Sequence, residues 1–396
     1  MRKSALFKKS SVTAAIVSAL CAGAWRAEAS PYVQTDLVSN IPGLATITDP
    51  ELLNPWGISH SATSPFWVSD QAFNEATLYD VTGGGVTQAA RVVSIPQGPT
   101  GQVNNTNTSS FLVGNGGNGA SANFIFANLN GSIYAWNGGA GATAIVQATT
   151  PGASYTGLAI NTAGTLLYAA NNAGTGGINV FNSSFVPVVT APGAFVDPNL
   201  PTGYVPFNIQ DIGGKVYVTY APASNAATAT AGMGYVAVFD ENGNFLQQLI
   251  SGGQLASPWG VALAPADFGV FSNDLLVGNF SSADSEINAF DPTTGAFLGT
   301  IPIDPGAGND PGGLLALDFG NGSSGGSLDT LYFTDGIDGD RDGLFGAISP
   351  APAAVPEPSG LLLLLTGLGV LGLWRALRAP SAGWSRRRSL TIEPVV

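Results

Sequence analysis

Two pentapeptides of nearly the same sequence constrain the fold of this chain more than any other feature. Asn54-Pro55-Trp56-Gly57-Ile58 returns 203 residues later as Ser257-Pro258-Trp259-Gly260-Val261. The second copy opens the clearest stretch, Ser257 to Ile301, in which VALAP, DLLVGNF, EINAFDP and AFLGTI follow one another around an Asp291–Gly295 turn. Short apolar runs of period-2 character between clusters of Gly, Pro, Asn and Asp are strands joined by tight turns. Four such units of about 51 residues fit the gap between the two pentapeptides, a spacing typical of repeat architectures.

The other copies can then be placed. Units open near residues 57, 108, 157, 208, 260 and 313, the second at SSFLVG, the third at Tyr155-Thr156-Gly157 and the fourth at VPFNIQDI. A four-stranded sheet of this kind cannot bury both faces alone, and stacking neighbours around an axis supplies the core. The expectation is an all-β, six-bladed β-propeller over residues 30–350. Its sixth unit is one strand short before Pro350, and Tyr32–Val38 alternates well enough to supply that strand and close the ring. Asn130-Gly131 and Asn242-Gly243 read as hairpin turns. Trp56 and Trp259 read as packing between blades, while Thr100–Gly119 and Ala221–Gly234 read as low-complexity loops.

Charge is distributed unevenly. Of 13 basic residues, only Arg91, Lys215 and Arg341 lie between residues 30 and 354, against 23 of the 26 acids, a net charge of −20. Such a domain disfavours nucleic acid and anionic membranes, and suits solubility or cation binding. The sole cysteine, Cys21, precedes the domain, which therefore has no disulfide, thiol nucleophile or zinc–thiolate site.

Both ends carry targeting patterns. Arg2, Lys3, Lys8 and Lys9, an apolar Val12–Ala24 stretch and Ala27-Glu28-Ala29 compose a signal peptide over 1–29, cleaved after Ala29. A Pro-rich linker, 351–359, holds Pro356-Glu357-Pro358. An apolar segment, 360–379, near the lower limit for a spanning helix, and a basic tail, 380–396, follow. Together these resemble the PEP-CTERM sorting signal of bacteria that make extracellular polysaccharide. The resemblance implies processing by an exosortase at the tripeptide, after transient or lasting anchoring by the C-terminal helix. The expected location is the cell surface or extracellular space.

The phrases SPWGVALAPADFGVFSNDLLVGNF, YTGLAI, DPNLPTGYVPFNIQ, VYVTYA and DTLYFTDG, spread over about Leu37 to Ile348, resemble an uncharacterised family of exported bacterial β-propellers that often end in such a signal. The resemblance implies a propeller and carries no activity. The chain departs from it at Ser281-Ser282 and after Thr334, where an acidic loop stands.

Chemistry is sparse. His60 is the only histidine and ends a strand, which reads as a surface position. HExxH, P-loop and dinucleotide motifs are absent. Asp338-Gly339-Asp340-Arg341-Asp342-Gly343 fits the first half of a calcium loop, with Asp335 as a further ligand, although Ser349 stands where an EF-hand has its glutamate. Calcium, or another divalent metal, is the only cofactor indicated, against a solvated acidic turn. Propellers of the gluconolactonase type hold one axial metal and hydrolyse lactones. Glu51, Asn54, Asn208 and Asn279 are the residues here that could converge in that way, an argument from fold analogy. The sequence leans towards a non-enzymatic binding or scaffold module for extracellular polysaccharide or a surface protein. The alternative is a metal-dependent lactonase or related hydrolase.

Overall fold

The computed structural model describes residues 31–114 and 118–352, with positions 368, 371, 374, 375, 377 and 378 beyond them. The segment expected to be a signal peptide, Pro356-Glu357-Pro358, most of the 360–379 segment and the basic tail lie outside the described residues. No helix among the described residues is long and apolar enough to cross a membrane.

Strands β1 (Tyr32–Ser39) and β2 (Ile47–Thr48) precede six consecutive sheets. Blade one holds β3 (Pro55–Ser59), β4 (Phe66–Asp70), β5 (Glu75–Thr82), β6 (Gly85–Gln88) and the short β7 (Val93–Ser94). Blade two holds β8 (Pro99–Asn104), β9 (Phe124–Asn128), β10 (Ser132–Trp136) and β11 (Ile145–Thr149). Blade three has three strands, β12 (Tyr155–Ile160), β13 (Leu166–Asn171) and β14 (Gly177–Asn182). Blade four runs β15 (Tyr204–Ile212), β16 (Lys215–Pro222), β17 (Tyr235–Asp240) and β18 (Phe245–Ser251). Blade five runs β19 (Pro258–Leu263), β20 (Leu275–Asn279), β21 (Glu286–Phe290) and β22 (Phe297–Pro302), and blade six β23 (Leu314–Phe319), β24 (Leu331–Asp335) and β25 (Leu344–Pro350). Each is an antiparallel meander, so the chain is an all-β, six-bladed propeller.

The ring closes through the N-terminus. β1 pairs antiparallel with β25, from Tyr32 opposite Pro350 to Ser39 opposite Leu344. The Tyr32 hydroxyl donates to Phe268 O at 2.7 Å and accepts from Phe271 N at 3.0 Å, which also ties the strand to blade five. Asn-Gly turns stand where expected, with Gly131 at φ 71° and Gly243 at φ 84°.

Strand alternation explains the core. In β4, Phe66 and Val68 face blade six while Trp67 faces blade two, so one strand feeds two separate apolar layers. The buried side chains form six such layers, one between each pair of neighbouring blades. The Trp67 ring stacks on Phe124, centroids 4.2 Å apart, across the first of them.

Two placements differ from the sequence reading. The inner strand of blade two is β8, not SSFLVG; it occupies the first residues of the segment read as a low-complexity loop. Its residues are small and polar because they face the axis and neighbouring inner strands, so no apolar run announces them. Likewise Ala221 and Pro222 end β16, and the loop begins after them.

Candidate functional site

The axis is where all six blades meet, and the repeated tripeptide is a consequence of how closely they meet. The third residue of five inner strands is Gly57, Gly101, Gly157, Gly260 or Ala316. A Cβ at Gly57 would stand 2.7 Å from Thr100 O, and one at Gly157 would stand 2.7 Å from Asn208 Cα. Trp56, Phe207 and Trp259, which precede the small residue or Asn208, close the axis. Trp56 and Trp259 cross edge to face with centroids 6.4 Å apart, and Trp56 meets Phe207 in the same way. The two tryptophans therefore pack between blades, joining blades one and five across the axis and sharing a core cluster with blade six.

Beyond this plug the C-terminal ends of the inner strands surround a cavity of about 200 Å³. Its deeper polar groups hold the ring together. Gln102 Nε2 donates to Gly57 O at 2.6 Å and Trp67 O at 2.8 Å, Asn208 Nδ2 to Trp259 O at 2.9 Å, and Trp259 Nε1 to Thr156 O at 3.1 Å. The rim is Asn104, Gln210, Asp211, Asp318 and His60, from blades two, four, six and one; blades three and five present apolar residues there.

His60 is held firmly at this rim. Nε2 lies 2.8 Å from Phe319 O and Nδ1 3.1 Å from Ser61 O. Carbonyl oxygens only accept, so both contacts are hydrogen bonds only when the ring carries both protons. Asp318 Oδ2 is 3.6 Å from Nε2. Burial pushes the Asp318 carboxyl up to about 6, with His60 pulling the other way. Across the mouth, burial and then Glu241 raise Asp211, against bonds from Gly214 N and the Thr162 hydroxyl. The sequence treated His60 as an ordinary surface residue and passed over Asn104, Gln210, Asp211 and Asp318. Their only signal is that polar residues end inner strands at equivalent positions.

At the other end of the inner strands, five blades repeat one polar position. Asp70, Asn128, Asn171, Asn279 and Asp335 end their second strands opposite the first residue of the inner strand. Asn128 Oδ1 accepts from Asn130 N and Ser132 N, Asn171 Oδ1 from Ser154 N and Ala173 N, and Asn279 Oδ1 from Ala256 N. Asp70 Oδ2 accepts from the Thr77 amide and hydroxyl. Asp335 is fully buried, and neither of its carboxylate oxygens has a hydrogen-bond partner. Burial, then Asp340, drive its carboxyl well above the usual range; burial lifts Asp340 to about 6.

The four residues considered for an axial metal are dispersed. Asn208 lines the cavity, with its amide committed to Trp259 O. Asn279 is spent at the opposite strand ends on Ala256 N and Gln254 O, and Asn54 there on Trp56 Nε1 and Gln71 Oε1. Glu51 lies instead beside Asp49 and Glu75, whose carboxyl is pushed up to about 7 by burial and then by those two neighbours. The acidic motif also divides. Asp338 Oδ1 accepts from Asp310 N at 2.7 Å and Asp342 Oδ1 from Asn40 Nδ2 at 2.6 Å, while Asp340 folds back, its N–H on Gly336 O. Ile337–Asp340 coils into a short turn with Asp338, Gly339 and Asp340 all at positive φ, instead of wrapping as an open loop. Among the described residues, no group of three or more His, Cys, Asp and Glu side chains is placed to hold a metal.

No family model matches this chain. A structural genomics protein of unknown function from Bacteroides thetaiotaomicron VPI-5482 superposes with a TM-score of 0.50 at 11% identity, covering 80% of this chain and 76% of that one, a likeness of fold. In sequence, the uncharacterized protein L690 of Acanthamoeba polyphaga mimivirus is 30% identical over 333 residues, 79% of this chain and 84% of its own length. The uncharacterized protein R648 of the same virus is 32% identical over 333 residues, 79% of this chain and 78% of its own length. On that identity over most of both lengths, the chain belongs to the same family as these uncharacterized mimivirus proteins.

Proposed function

We propose that the protein is an exported, surface- or matrix-associated propeller that binds a hydroxyl-rich ligand, a unit of extracellular polysaccharide, at the axial mouth. The observation that carries this reading is the rim itself. Four blades contribute amide, carboxylate and imidazole groups around about 200 Å³, and two contribute apolar surface. A few convergent polar groups on a partly apolar wall are what a small ligand needs for orientation, and the volume is below the roughly 300–1,000 Å³ of drug-sized sites. One sugar unit is the matching scale. Asp211 and Asp318 make a neutral or amino sugar a better occupant than a uronate. The signal peptide, the C-terminal sorting pattern and exosortase processing belong to the same proposal, and support it through the address they imply. The dispersal of Glu51, Asn54, Asn208 and Asn279 lends the lactonase alternative no support.

Calorimetric titration of the full-length protein with exopolysaccharide from the producing organism tests the proposal. Saturable binding is expected, weakened at least about tenfold by Asn104→Ala combined with Gln210→Ala, since each removes a hydrogen-bonding group from the rim. Absence of binding by the wild type, or equal binding by the double variant, overturns it.

A further inference from the structure

Among the described residues, the most unusual group is Asp335. It is 1% exposed, and neither carboxylate oxygen has a hydrogen-bond partner. Three of its counterparts in other blades are asparagines, each satisfied by backbone N–H groups, and the fourth, Asp70, accepts two bonds from Thr77. Blade six thus places a carboxylate where three blades place a neutral amide, and, unlike blade one, where Thr77 serves one oxygen of Asp70, supplies no donor to either oxygen. Leaving a buried charge uncompensated is costly, which is why buried charges are paired or coordinate metals.

The surroundings are oxygen-rich. Gly336 follows Asp335 directly, and the Cβ position at Gly336 lies 2.7 Å from Asp340 Oδ1 and 3.3 Å from Asn54 Oδ1. The Cβ position at Gly313 lies 2.6 Å from both Asp340 Oδ1 and Gly336 O. Two glycines therefore leave the room into which the second carboxylate and an amide oxygen fit. No Lys, Arg or His forms an ion pair with Asp335 or Asp340 among the described residues. The nearby Arg341 directs its Nε to Asp338 O instead.

We propose that Asp335 and Asp340, with main-chain carbonyl oxygen and the second lone pair of Asn54 Oδ1 (the first accepts from Trp56 Nε1) beside them, bind one hard divalent cation, calcium, where blades six and one meet. Oxygen-only donors and a partly built shell that water can complete suit calcium's six to eight ligands better than the strict octahedron of magnesium. The site is independent of the axial mouth, at the opposite ends of the inner strands, and stands or falls without it.

The test uses the full-length protein, stripped by chelator and titrated calorimetrically at pH 7.5 with calcium and, separately, magnesium. One calcium per chain is expected, with weaker magnesium binding and a higher melting temperature in calcium than in chelator. Asp335→Asn, which installs the residue found at three equivalent positions, should lose at least about 100-fold in affinity while melting cooperatively in chelator. Asp340→Asn should also weaken binding. A wild type without calcium binding, meaning a carboxyl that stays neutral and empty-handed, overturns the proposal. So does unchanged affinity in Asp335→Asn, or in Asp340→Asn should the first variant not fold.

Discussion

Gly157 shows what the axis demands of a single residue. Any Cβ there meets Asn208 Cα at 2.7 Å, and because that atom is backbone it cannot swing aside. Gly157→Ala should cost about 1–3 kcal/mol, the usual penalty for overpacking. Gly138→Ala, where a Cβ meets nothing within 4 Å, should leave the melting temperature nearly unchanged. Equal effects in thermal melts would contradict this account of the repeated glycine. The repeat of Pro-Trp-Gly was plain in the sequence, but its partners were not. Nothing in the order of residues indicates that Trp56 and Trp259, far apart in the chain, touch across the axis, or that Phe319 O and Ser61 O pin the one histidine beside Asp318.

At the scale of elements, the closing strand is the most exposed to test. β1 covers the edge of β25 that would otherwise stand open, and its Tyr32 reaches blade five. Removing residues 30–40 should lower the cooperative melting of the whole ring, because both blade six and its contact with blade five lose a partner. Tyr32→Phe, losing the bonds with Phe268 O and Phe271 N, should cost about 1 kcal/mol by denaturant titration. Unchanged melting after the deletion would refute the role given to β1. This strand was legible in Tyr32–Val38 because it alternates. β8 was not, because PTGQVN carries the small and polar residues that an axial strand needs, and those are also the residues of loops. Blade three was legible too: YTGLAI, TLLYAAN and GINVFN contain its three strands.

At the scale of the whole molecule, acidity and burial act together. A carboxyl whose folded pKa exceeds its unfolded value binds its proton more tightly when folded. Its contribution is complete below the unfolded value and is lost as pH rises through the folded one. Glu75, raised to about 7, and Asp318 and Asp340, raised to about 6, all have this sign, and buried Asp70 and Asp335 share it. The melting temperature in chelator should therefore fall between pH 5 and pH 8. Asp291, held low by Thr294 and Thr293, has the opposite sign. So does Asp240, where burial raises the carboxyl but bonds from Asn244, Asn242 and Gly243 together outweigh it. Their contribution is lost as pH drops below the ordinary aspartate value of 3.8. Stability should peak in mildly acid solution, and a melting temperature that rose steadily from pH 5 to pH 8 in chelator would refute this. Calcium should recover part of the loss at pH 8 if Asp335 and Asp340 bind it.

The sequence by itself determined the all-β class, the sixfold repeat, the closing strand and the acidic character of the domain. Each of these follows from local patterns: period-2 apolar runs, turn residues at even spacing, and a count of charges. Only the tertiary structure decided which polar groups share a site. It separated Glu51 from Asn208, divided the DGDRDG motif by setting Asp338 on Asp310 N, Asp342 on Asn40 and Asp340 N on Gly336 O, and carried His60 to the axial mouth beside Asp318. The physical reason is that each blade contributes one strand end to the axis. A site assembled there draws on residues about fifty positions apart, at a period set by stacking and not by any short motif.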